Sequence, residues 1–89
     1  MAHAYYKVTI TDHDYSYTTY VSWVDASSKN QAIVKAAAMA GQEKNRREYM
    51  RMGRINVLYP GGFLEPDVKL EQITMDEFWE HRNEVEVME

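Results

Sequence analysis

An α+β fold is what this sequence predicts, and three observations carry the prediction. Two runs of alternating side chains flank a short polar segment near the N-terminus. A stripe of alanines and one isoleucine at helical spacing follows an N-capping signal. A second capping signal opens another helix after two further alternating runs. Together they give an antiparallel sheet of 3–4 strands packed on one long helix, in the order β-β-α-β-(β)-α, with a short C-terminal helix. The 89 residues leave room for one domain.

The first strand spans Tyr5–Thr11, with Tyr6, Val8 and Ile10 on one face and Tyr5, Lys7 and Thr9 on the other. Asp12-His13-Asp14 is a turn-forming cluster. The second strand, Tyr15–Val24, places Tyr17, Thr19, Val21 and Trp23 on one face and Tyr20, Ser22 and Val24 on the other. Its tyrosines, threonines and valines favour a pleated, half-buried surface. Two such runs around a polar loop make a hairpin.

Ser28 with Gln31 three residues on fits a capping box, in which the hydroxyl accepts from the third helical amide. Ala32, Ile33, Ala36, Ala37 and Ala40 then form the apolar stripe, and their small side chains allow close approach to a sheet. Gly41 costs about 1 kcal/mol relative to alanine inside a helix, yet Gln42–Met52 is rich in helix formers, so the helix is expected to continue. Gly53 sits where a terminating glycine belongs.

Ile55, Val57 and Tyr59 predict a third strand, closed by Pro60-Gly61-Gly62. Asp67–Ile73 is the weaker fourth, anchored by Val68 and Leu70. Thr74 and Glu77 form the second capping box, with Phe78, Trp79, Arg82 and Val85 along one helical face. Glu84–Glu89 alternates, as an edge strand or a frayed end would. The expected core is Val8, Ile10, Val21, Trp23, Ile33, Ala37, Ala40, Ile55, Val57, Leu70 and Phe78.

Charge is split along the chain. Residues 1–64 carry eight Lys/Arg against five Asp/Glu, and residues 65–89 carry nine Asp/Glu against Lys69 and Arg82. The positive charge concentrates in Lys44, Arg46, Arg47, Arg51 and Arg54. Arg47, Arg51 and Arg54 recur at i, i+4 and i+7, so they share a helical face. Such a ridge suits phosphate contacts, with Tyr5 and Tyr20 as candidate stacking platforms for single-stranded bases. The opposing reading is that the arginines pair with the acidic C-terminal segment of the same or a neighbouring chain, and the overall pI of about 5.3 counts against nucleic acid. Glu77, Glu80 and Glu84 form a second stripe at i, i+3 and i+7, a face that would steer association with a basic target. Phe78 and Trp79 beside it are candidate anchors.

No catalytic constellation is visible. Cysteine is absent, which removes disulfides, thiolate metal sites and thiol nucleophiles. Asp12, His13 and Asp14 include metal-ligating types, but three neighbours on one turn do not converge as a site, and turn chemistry accounts for them. His81 lies four residues from Glu77, close enough to pair on a solvated helix face. Gly61-Gly62 lacks the spacing of any phosphate loop. The expectation is a non-enzymatic protein without cofactor or metal. No apolar run approaches the ~20 residues of a membrane span, and Met1–Lys7 has no signal-peptide core, so a cytoplasmic location is expected.

The stretch Tyr20-Val21-Ser22-Trp23-Val24-Asp25-Ala26-Ser27-Ser28-Lys29-Asn30-Gln31-Ala32 resembles the strand, small turn and Ser-capped helix of small phage-encoded proteins. These include anti-CRISPR inhibitors built as hairpin, helix and strand. The resemblance covers the pattern of Tyr5 to Tyr59 and transfers no functional residue. It implies a non-enzymatic inhibitor that acts in the host cytoplasm and blocks a host defence complex, often where nucleic acid would bind. The expected partner is therefore another protein or complex, with direct nucleic-acid binding ranked second. A homodimer would also add burial to so small a chain.

Overall fold

A computed structural model describes residues 3–13, 17–52 and 66–88, with side chains of 48–52 excepted. The elements are β1 (Ala4–Asp12), β2 (Thr18–Ala26), α1 (Lys29–Met52), β3 (Asp67–Ile73), α2 (Met75–His81) and β4 (Val85–Met88). The four strands form one sheet in the order β3-β1-β2-β4, every pairing antiparallel. This is the expected α+β architecture, and Val85–Met88, within the alternating run noted at the C-terminal end, supplies an edge strand. The strand expected at Ile55–Tyr59 lies outside the described residues, with the core candidates Ile55 and Val57.

Register fixes which side chains share a face. Tyr6 opposes Val24, Val8 opposes Ser22, and Ile10 opposes Tyr20. All six are buried on the face that α1 covers. From the helix, Ala32, Ala36 and Ala40 are fully buried at successive i+4 positions, and Gly41 and Lys44 are buried beside them. Small residues on the helix meet large ones on the sheet, which lets the two backbones approach closely. α1 runs unbroken through Gly41, as expected. Ile33, Ala37 and Leu70, expected in the core, are half-buried at its margin.

The other sheet face is covered too. Val21, Trp23 and Phe78 form a second buried cluster, with Tyr5 and Ile73 packed against it. The Tyr5 and Phe78 rings lie 5.0 Å apart. Val8 and Ile10 therefore sit on one side of the sheet, and Val21 and Trp23 on the other. Both faces of Tyr20–Val24 are buried because a helix packs on each side.

Local chemistry sets the helix boundaries. Ser28 Oγ accepts from the Gln31 amide at 3.1 Å, and the Gln31 side chain reaches back to the Ser27 amide at 2.7 Å, one residue earlier than a standard capping box. Thr74 Oγ1 accepts from the Glu77 amide at 3.2 Å. α2 stops at His81, shorter than the face drawn to Val85. Asn83 turns the chain with φ of 68°, in the left-handed region that Asn tolerates better than most residues. Val85 then enters β4. No helix among the described residues is long and apolar enough to cross a membrane.

Candidate protein-interaction face

α2 divides its side chains sharply. Phe78 is buried against the sheet, whereas Met75 is 52% and Trp79 55% exposed. Met75 and Trp79 are four residues apart and share a ridge, and Asp76 and Glu80, both exposed, share the adjacent one. The Arg82 guanidinium lies over the Trp79 ring, 4.6 Å from its centroid, and the Phe78 ring meets Trp79 edge-on at 5.6 Å. The indole is thus held in place while most of it faces solvent.

The acidic stripe is not laid out as its spacing predicts. Glu80 is exposed on α2, and Glu77 is half-buried in its first turn. Glu84 falls beyond the helix end, where its carboxylate meets His81 Nδ1 at 3.1 Å. His81 therefore pairs with Glu84 and not with Glu77. Its ring also stacks on Trp23, with centroids 4.3 Å apart and planes 17° from parallel, so it is no freely solvated helix residue. The buried Trp23 Nε1 has no acceptor among the described residues.

Of the basic ridge, Lys44 and Arg46 meet Asp12 and Glu43 and not the acidic C-terminal segment. Lys44 is buried, and its Nζ lies 2.6 Å from the carboxylate of Asp12, itself 1% exposed. Arg46 donates from Nε to Glu43 at 3.1 Å and again from Nη2, which holds the Glu43 carboxyl below its ordinary value of 4.5. Arg47 is half-buried. Arg54 and the side chain of Arg51 lie outside the described residues. Tyr20, a candidate stacking platform, is 3% exposed in the α1 core and presents no face to a base. Tyr5 is half-buried against Phe78. Asp12 belongs to β1, and His13 bonds Asp67 at 2.7 Å across the sheet. Among the described residues no three His, Asp or Glu side chains converge to hold a metal ion.

The ion pair and the pinned indole both escape sequence reasoning. Asp12 and Lys44 are 32 residues apart, and nothing local relates them. Trp79 carried a signal in its neighbour: consecutive residues of an α-helix point about 100° apart, and in this short helix Phe78 takes the buried direction while Trp79 is left exposed.

A cleft of about 420 Å³ opens between the helices, lined by Trp23, Val24 and Asp25 of β2, Lys35 and Met39 of α1, and Trp79 of α2 among others. Lys35 Nζ donates to the Asp25 carbonyl at 2.7 Å on its wall. Comparison with protein-family models, with curated proteins and with solved structures gives no significant match.

Proposed function

We propose that the protein is a small non-enzymatic interaction protein that engages a basic surface of another protein or complex through its α2 face. In the inhibitor form of this reading, it occupies a site on a host complex that nucleic acid would otherwise fill. The supporting observation is Trp79: a tryptophan 55% exposed, held by Arg82 and flanked by Asp76 and Glu80. An exposed, immobilised aromatic surrounded by charge has the composition of a binding hot spot, because desolvating it on contact contributes binding energy at little entropic cost. The acids would steer a basic partner toward it. For the nucleic-acid alternative, Tyr20 is buried and offers no stacking face, Arg46 is exposed and paired with Glu43, and Arg54 and the side chain of Arg51 lie outside the described residues.

A photo-crosslinking amino acid placed at position 79 tests the reading in cells expressing the protein. Position 34 on α1, where Val34 is 67% exposed, is the control. The expected outcome is a nuclease-resistant protein adduct from position 79 and none from position 34. Nuclease-sensitive adducts, or equal capture from both positions, would contradict it.

A further inference from the structure

β4 is one of the two outer strands of the sheet, opposite β3, and among the described residues nothing pairs with its far side. It is also short: Val85 opposes Ser22 and Met88 opposes Thr19, so β2 runs on from Trp23 to Ala26 beyond its end. A second cleft, about 440 Å³ and lined by Met39, Gln42, Glu43, Arg46, Asn83 and Val85, flanks this edge on the α1 side. It shares Met39 and Asn83 with the cleft beside Trp23. The two clefts adjoin at these residues, with α1 as a wall of each.

The register of β4 states what would fit there. Val85 and Val87 oppose Ser22 and Tyr20, which places them on the α1 face, packed against its core cluster. Glu86 opposes Val21 on the α2 face and is exposed, with Glu84 exposed in the turn just before it. A strand added outside β4 would continue this alternation, because neighbouring strands keep side chains of one face together. Its positions on the α1 side would enter the cleft beside Val85 and Met39. Its positions on the α2 side would stand next to Glu86.

Resting on the protein-binding reading above, we propose that β4 captures an extended partner segment of alternating apolar and Lys/Arg residues as a fifth strand. Main-chain hydrogen bonds to the open edge would supply affinity, and the carboxylate of Glu86 would supply selectivity for the basic register. The same charge disfavours a second acidic copy at this edge: the chain has a net charge of −4, and like charges across paired strands are destabilising.

The probe is a blocked hexapeptide alternating valine and lysine, compared with a valine-lysine block peptide and with an alternating peptide N-methylated at every second amide. Amide shifts and hydrogen exchange of the isotope-labelled full chain give the readout. The alternating peptide is expected to slow amide exchange in β4. N-methylation on the pairing side, or Glu86→Lys, is expected to weaken it by about tenfold or more, as loss of two or more hydrogen bonds or an opposite charge does. No shift at about 1 mM peptide, equal binding of all three peptides, or concentration-dependent self-association through β4 would overturn strand addition. Shifts confined to α2 and indifferent to N-methylation would overturn it while leaving the Trp79 face in place. Failure of position 79 to crosslink would instead remove the reading on which it rests.

Discussion

Asp12 and Lys44 show what a single contact costs and supports. Both are buried, 1% and 9% exposed, and the Nζ–carboxylate distance is 2.6 Å. Removing either partner takes a 2.6 Å contact from a charge held in low dielectric, so Asp12→Ala or Lys44→Ala should each cost about 3–5 kcal/mol by chemical denaturation. A double variant replacing both by apolar residues should recover much of that loss. If single and double variants are equally destabilised, the pair does not act as a unit. Glu43 offers a pH test. The Arg46 hydrogen bond lowers its pKa, burial works against this, and the charges of Arg46 and Arg47 assist. A carboxyl depressed on folding contributes stability that is fully present above its unfolded pKa and is lost as pH falls through the folded value. Arg46→Ala should therefore move the Glu43 titration upward toward 4.5 and flatten the stability profile in the acid range below it. An unchanged Glu43 titration by NMR would contradict the contact.

At the scale of elements, local signals were readable and long-range ones were not. The hairpin, both capping residues and the passage of α1 through Gly41 follow from neighbours in sequence, and the structure has all of them. The two-sided burial of β2 is not in the expected core, which includes Val21 and Trp23 but neither Tyr20 nor Val24. The run Tyr20–Val24 contains only one polar side chain, Ser22, and near-continuous apolar strands are those covered on both faces. Asn83 ended α2 early through a positive φ that no periodicity announces. Of the candidate site, Trp79 and Glu80 were legible as α2 residues, whereas the Lys44 and Arg46 partnerships depend on how α1 meets the sheet and on its own exposed surface. Trp23 joins β2 to α2 through Phe78 and His81. Trp23→Ala should cost about 3–5 kcal/mol and release α2 from the sheet. Parental stability in that variant would mean that α2 is not held by this cluster.

Across the whole molecule, opposite charges serve different ends. The positive residues described on α1 are partly consumed internally, by Asp12 and Glu43, while Asp76 and Glu80 beside the exposed indole of α2, and Glu86 of β4, stay at the surface. A net charge of −4 adds long-range repulsion of polyanions. At about 0.15 M salt the screening length is about 8 Å, so this field acts only near contact, where local composition decides the partner. The most direct measurement is a paired titration at low and physiological salt: labelled single- and double-stranded DNA and RNA in one series, the alternating valine-lysine peptide in the other. The account predicts weak nucleic-acid binding throughout, and peptide binding that slows amide exchange in β4 and declines with salt. Sub-micromolar nucleic-acid binding at physiological salt, abolished by Arg46→Glu with Arg47→Glu, would contradict it.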